Sequence, residues 1–357
     1  MSRLAQIIIF GLVVHIVYFF FNYFLLNKIS KFFSLNKGTW FYVVIIILTL
    51  SFVASFLLDQ YANSQITRIV HTVISVEMGI AFLLFIVFVL HQITKLFGVP
   101  TNAIIGTALI GLVLIVSIFA IINASKIHLK EVEIPIKGLT EEKTIMQLSD
   151  IHAGTIIGPK RVEKIVSMTN AENPDYVVIT GDLVDGSGPL TVDLFRPLDK
   201  LNAPTYFVAG NHEHHQDINK VMDIFGQIDM TILRDEAIIV DDIQFIGVEY
   251  ADNKDALRKI LPTIDIEKNK TKILLFHAPD DLDYAVEQKM DLVLSGHTHS
   301  GQIWPFNFLV KLKFKYLYGL FKVENTNLYV SSGAGFWGPP MRLGSNCEIV
   351  KIKLVKA

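Results

Sequence analysis

Two hydrophobic patterns meet near residue 123 of this chain. Before that point apolar residues come in long blocks, 4–26, 40–58, 70–92 and 102–123. Each block is close to the roughly 20 residues that a helix needs to cross a bilayer's hydrocarbon core. Short polar breaks, "NKISKFFSLNKGT", "DQYANSQITR" and "KLFGVPT", separate them. Beyond residue 123 short apolar runs alternate with segments of helical period, the pattern of an α/β domain. The runs "KTIMQLS", "DYVVIT", "TYFVAG", "KILLFH", "LVLSG" and "NLYVSS" predict strands, while "PKRVEKIVSMTNA" and "DALRKIL" predict amphipathic helices. "AIIVDDIQFIGVEY" predicts a hairpin turning at Asp241-Asp242, and the alternating "EIVKIKLVK" predicts a half-exposed closing strand.

Charge sharpens the division. Of the 66 charged side chains in 357 residues, only Arg3, Lys28, Lys31, Lys37, Asp59, Arg68, Glu77 and Lys95 precede residue 124. The composition therefore predicts a four-span transmembrane region over 1–123, a linker with a leading strand over 124–139, and a water-soluble domain over 140–357. The first block is too long for a signal-peptide core and lacks a small-residue cleavage site, so it reads as a retained anchor. Lysine and arginine are evenly divided between the two sides of the spans, so the positive-inside rule assigns no orientation to this multi-pass membrane protein. Glu77 lies within two turns of a span's end, where a carboxyl is expected to bond a neighbouring helix rather than serve chemistry. His15 and Asn22 are read the same way. Net charge is +4 over residues 1–123 and −6 afterwards, with no basic cluster suited to nucleic acid. Cys347 is the sole cysteine, which excludes an internal disulfide and a zinc–thiolate cage.

The candidate chemistry sits where the strands stop. "MQLS" runs into Asp150 and His152, "YVVIT" into Asp182 with Asp185 beyond, and "YFVAG" into Asn211 and His212. "ILLF" runs into His277, and "LVLSG" into His297 and His299. A single Asp or His after a strand is ordinarily a cap or a turn. Five strand ends repeating the theme are a different matter, because open α/β folds bind ligands beyond the carboxyl ends of their strands. Carboxylate, amide oxygen and imidazole without thiolate suit Mn, Fe or Zn. There are enough donors for two ions sharing a bridging carboxylate. Such a pair can clamp the attacking and leaving oxygens of a displacement at phosphorus and lower the pKa of a bound water. No G-x-S-x-G elbow or phosphate-cradling P-loop competes with this reading.

"DIH", "GDLVD", "GNHE", "FHAPD" and "GHTHSGQ", in that order, resemble the blocks of the calcineurin-like metallophosphoesterases, over roughly residues 140 to 357. "GAGFWGPPMRLG" is similar to the C-terminal segment of that family's membrane-anchored branch. The resemblance implies a four-layer αββα sandwich with two divalent metal ions at one end of its sheets. By motif, Asp150, His152 and His299 would hold one ion and Asn211, His277 and His297 the other, with Asp182 bridging. His212 would face the leaving group, and Asp185 would support the ligands from behind. Ser300 departs from the glycine that relatives often carry, which touches only local loop geometry. The implied activity is hydrolysis of a phosphomonoester, phosphodiester or pyrophosphate. Some relatives are associated with hydrolysis of UDP-2,3-diacylglucosamine in lipid A synthesis, so a lipid-linked or nucleotide-linked substrate follows by analogy.

Two further features invite readings. Arg342 has the geometry to hold a substrate phosphate or to brace the Gly- and Pro-rich loop around it. "WPFNFLVKLKFKYLYGLF" interleaves Lys311, Lys313 and Lys315 with apolar residues. It reads first as an edge strand with lysines facing water and second as a lip meeting anionic lipid. The competing functional classes are a membrane transport or sensor protein whose domain binds metal without catalysis, and a metal-dependent hydrolase of non-phosphate bonds.

Overall fold

A computed structural model describes residues 3–61, 64–186, 188–251 and 255–357. The chain divides into two compact units, Met1–Ile121 and Ile122–Ala357. Helices α1 (Arg3–Phe32), α2 (Thr39–Tyr61), α3 (Gln65–Thr94) and α4 (Ala103–Ser125) account for the first unit, α4 running on past its end. Among the described residues, three stretches are long and apolar enough to cross a membrane: Leu12–Phe32, Gln65–Phe97 and Ala103–Ser125. The expectation of four spans is met by three on this measure. The second helix supplies a shorter apolar run, Thr39–Ser55, over its described residues. Within this unit the Tyr18 hydroxyl on α1 donates to Glu77 Oε2 on α3 at 3.3 Å, and buried Asn22 donates to the Tyr18 carbonyl at 3.0 Å.

The second unit is built on two six-stranded sheets. Its strands in chain order are β1 (Ile127–Ile136), β2 (Lys143–Leu148), β3 (Tyr176–Thr180), β4 (Thr205–Val208), β5 (Thr231–Ile232), β6 (Glu236–Val240), β7 (Ile243–Val248), β8 (Thr271–Phe276), β9 (Leu292–Ser295), β10 (Gly319–Val323), β11 (Thr326–Val330) and β12 (Cys347–Lys356). One sheet has the order β1-β12-β2-β3-β4-β5 and the other β10-β11-β9-β8-β7-β6. In each, the central strands run parallel. The hairpin turning at Asp241-Asp242 forms as β6 paired antiparallel with β7.

Side-chain alternation explains the layering. Tyr176 and Val178 point into a core between the sheets, with Phe245, Leu275, Leu294 and Val350. Val177 and Ile179 point the other way, into a core with Ile165 and Phe225. These belong to helices α5 (Pro159–Ala171) and α8 (Ile218–Phe225), between which lie the short helices α6 (Val192–Phe195) and α7 (Asn211–His215). Leu274 and Val293 on the second sheet's outer face pack with Leu257 and Ala285, from short helices α9 (Ala256–Ile260) and α10 (Leu282–Glu287). Strands buried on both faces read as continuous apolar runs, as parallel sheets require.

Two local expectations change. β12 is paired on both sides, by β1 and β2, so most of it is covered rather than half-exposed. The lysine-rich segment is not an edge strand: Asn307–Lys313 is a helix, α11, and the edge strand β10 begins only at Gly319. The apolar residues Phe308, Leu309 and Leu312 recur at helical spacing, which outweighs the alternation of the lysines.

At Gly247 on β7 the second sheet packs tightly against the first. A Cβ there would stand 2.3 Å from Leu233 Cβ and 2.8 Å from Val208 Cγ1. Gly247→Ala is therefore expected to destabilise the second unit by about 1–3 kcal/mol, the ordinary cost of overpacking a core. Denaturant unfolding checks this, and a midpoint equal to wild type would contradict the packing described.

Candidate metal centre

The strand ends converge. Beyond β2, β3, β4, β8 and β9 the chain places Asp150 and His152, Asp182, Asn211, His277, and His297 and His299 at one end of the two sheets. Backbone bonds from Asp150 and His152 to the carbonyls of Gly181 and Asp182, both 3.0 Å, hold the first two loops in register. Asp150, His152, Asp182, His297 and His299 all have φ between 49° and 69°. A left-handed backbone costs roughly 1–2 kcal/mol per residue for most side chains, and its concentration here marks loops shaped to aim their side chains. Ser300 shares it at φ 53°, a backbone that glycine would adopt without steric cost.

The donors form two overlapping groups. His152 Nε2 lies 2.9 Å from His299 Nε2, and His299 Nε2 lies 3.4 Å from Asp150 Oδ1. In the other group His277 Nε2 is 3.1 Å from Asn211 Oδ1 and 3.2 Å from His297 Nδ1, while His297 Nδ1 is 2.8 Å from Asn211 Oδ1. Asp182 Oδ2 belongs to both, 3.1 Å from His277 Nε2 and 3.8 Å from His152 Nε2. Two donors each about 2.1 Å from a common ion stand roughly 3–3.5 Å apart, so these spacings fit a pair of first-row ions.

Donor chemistry passes the same test. His277 Nδ1 donates to the Thr180 carbonyl at 2.7 Å, which directs the Nε2 lone pair of the neutral ring at the Asp182–Asn211–His297 group. Burial pushes His152 and His299 well below the ordinary imidazole range, with His212 and Arg342 adding charge repulsion respectively. Burial and the neighbouring His277 bring His297 down to about 3. Neutral imidazoles are what a metal needs. Burial raises Asp150 to about 6. Burial also opposes ionisation of Asp182, but the charge and hydrogen bond of His277 hold it well below the usual carboxylate range. Burial opposes a proton on His277, but the charge and hydrogen bond of Asp182, the charge of Asp150 and the Thr180 carbonyl together lift it to about 10. Without metal, that proton compensates part of the buried carboxylate charge.

The remaining residues take definite places. His212 is buried, its Nδ1 donating to the Asp185 carbonyl at 2.5 Å, and its Nε2 is 4.0 Å from Asp182 Oδ2. Asp185 Oδ1 stands 3.7 Å from His152 Nδ1, so this one residue touches both histidines. Arg342 departs from the phosphate-contact reading. It is 0% exposed, and its guanidinium donates to the carbonyls of His299 at 2.8 Å, Ser332 at 2.7 Å and Gly335 at 2.6 Å. Those bonds brace the loop and leave no face for substrate.

Sequence reasoning missed Tyr250, which stacks on His297 at 5.9 Å between centroids. It also missed Glu213, present in the "GNHE" block without an assigned role. Glu213 is fully buried and accepts the backbone N–H groups of Asp182 at 3.0 Å, Leu183 at 2.8 Å, Val184 at 3.0 Å and Gly210 at 2.7 Å. It ties the loop after β3 to the loop after β4. Each buried donor left unpaired costs about 1–3 kcal/mol, so Glu213→Ala is expected to lose at least about 3 kcal/mol of stability and most bound metal. Denaturation together with elemental analysis checks this. Wild-type stability and metal content would contradict the role.

Comparison with known proteins agrees with the geometry. The family model for calcineurin-like phosphoesterases matches residues 143–301. An uncharacterized metallophosphoesterase of Campylobacter jejuni is 31% identical over 349 residues, covering 92% of each chain. Another, from Helicobacter pylori, is 38% identical over 237 residues, spanning 64% of each chain. A Danio rerio protein named transmembrane protein with metallophosphoesterase domain is 29% identical, covering 91% of this chain and 82% of its own. With its strand-end histidines and carboxylates gathered into two groups around one aspartate, the chain belongs to the calcineurin-like metallophosphoesterases.

Proposed function

We propose that this chain is a membrane-anchored, two-metal phosphoesterase that hydrolyses a phosphomonoester, phosphodiester or pyrophosphate bond. The observation that carries the reading is the shared oxygen, Asp182 Oδ2, within 4 Å of histidines from both donor groups. In this reading Asp150, His152 and His299 hold one ion, Asn211, His277 and His297 the other, and Asp182 bridges them. When bound there, a pair of Mn, Fe or Zn ions would supply Lewis-acid charge for the phosphoryl oxygens and would lower the pKa of water. Asn211 and the neutral imidazoles orient that charge. His212 does separate work. Its Nδ1 proton is engaged by the Asp185 carbonyl, which leaves Nε2 to carry a proton to the departing oxygen.

Residues 1–123 anchor the domain as a multi-pass segment of the cell membrane, with α2 as the fourth and shortest crossing. The zebrafish relative's name and the three long apolar helices support this part. Catalysis belongs to residues 140–357. A domain tied to a bilayer favours a lipid-linked or nucleotide-linked phosphoester as substrate.

Asp182→Asn is the direct test. Bound metal is expected to fall below the wild-type ratio and turnover of phosphoesters to vanish. Two ions per chain with full activity would sink the bridging assignment.

His212→Ala separates proton delivery from metal binding. A positioned acid typically contributes about 10²–10⁴-fold, chiefly for poor leaving groups. The variant should keep its metal and barely slow p-nitrophenyl esters, while alkyl or sugar phosphoesters slow severely. Equal losses across leaving groups of graded pKa would make His212 a positioning group only.

A further inference from the structure

The second unit concentrates its exposed apolar surface in one place. Among its described residues, eight of the eleven large apolar side chains that are exposed fall between Trp304 and Trp337. Most lie on and around α11, where Phe308 is 60%, Leu309 58% and Leu312 84% exposed. Trp304 and Trp337 flank them, 49% and 56% exposed. Scattered apolar residues on a surface need no explanation, but a contiguous group marks an interaction site.

This patch is the rim of the metal centre. The start of α11 abuts the loop that carries His297 and His299, since a Cβ on Gly301 would meet Asn307 Cα at 2.3 Å. Just past the end of α11, Phe314 packs edge-on against the His297 ring at 5.2 Å. Trp337 lies 6.4 Å from the His212 ring and bonds through its backbone N–H to Gln302 Oε1 at 2.9 Å.

Charge identifies the occupant. Lys311 and Lys313 are exposed between the apolar residues, and Lys315 stands 3.7 Å from Asp283 and is partly matched. A basic and aromatic island on a domain of net charge −6 is complementary to anionic lipid headgroups. Tryptophan, phenylalanine and leucine beside lysine are the residues that settle at a bilayer interface. Supply of the surface is also assured: only Lys126 separates α4 from β1, so the domain is tethered one residue from an apolar helix. A tether that short makes docking intramolecular, so even a weak surface is used.

We infer that α11 with Trp304 and Trp337 is a lipid-contacting rim, which docks on an anionic bilayer surface and turns the metal centre toward it. The inference rests on the anchoring reading above, and the test keeps the two apart. Full-length Leu312→Cys protein is labelled with an environment-sensitive fluorophore and reconstituted into vesicles of equal parts phosphatidylcholine and phosphatidylglycerol. Cys347 is fully buried, so the label goes to position 312. Brominated lipid should quench this label several-fold more than the same label at Lys268→Cys, an exposed position before β8, and the effect should shrink in phosphatidylcholine alone. Lys311→Gln and Lys313→Gln should each shift the balance away from docking about fivefold, the factor that one lysine contributes near an anionic surface. A label at 312 reached by aqueous iodide as readily as the control overturns the proposal. So does a label shielded from both quenchers, which would mean that a second protein surface covers the rim. Protein that never enters the vesicles overturns the anchoring reading itself.

Discussion

The carboxylate of Asp182 is the group around which the second unit is arranged. It is 2% exposed, and an ionised carboxylate so placed is costly unless it is paired and hydrogen-bonded. The backbone N–H of His212 bonds its Oδ1 at 2.9 Å, and imidazoles from three different loops face its Oδ2. Glycines clear the space. A Cβ at Gly210 would stand 2.3 Å from Asp182 Oδ1, and one at Gly181 would stand 2.6 Å from His277 Nδ1. Glu213 then closes the arrangement from beneath by gathering four backbone donors from two loops.

The rest of the fold makes that concentration of charge tolerable. Two sheets whose central strands are buried on both faces provide a rigid platform, and those parallel strands deliver loop after loop to one end. The left-handed backbone at five donor residues is strain held by those neighbours, not by the loops themselves. Arg342 adds a brace from outside, its guanidinium fastened to three carbonyls of the surrounding loops. His152, His297 and His299, kept neutral by burial beside an ionised Asp182, are a poor core and a good ligand set.

Much of this was legible in the chain. Apolar runs ending in Asp, Asn or His pointed to the strands and to their common end, because strand termini are where an α/β sheet binds. The amphipathic period of residues 159–171 located α5 to the residue. What escaped notice depends on long-range geometry. Glu213 looks like any acidic residue in a turn until the loop after β3 folds over it. Arg342 carries the right chemistry for phosphate, yet its environment, decided by loops distant in sequence, turns it inward. The α11 segment misled because lysines at every second position mimic a strand, whereas Phe308, Leu309 and Leu312 follow a helical face.

The central claim is that one aspartate joins two metal positions. Electron paramagnetic resonance of the manganese-loaded protein measures this most directly. Ions about 3.5–4 Å apart and bridged by Asp182 should give the exchange-coupled spectrum of a dinuclear pair, with two manganese ions per chain. The six-line spectrum of isolated manganese at full loading would contradict the account.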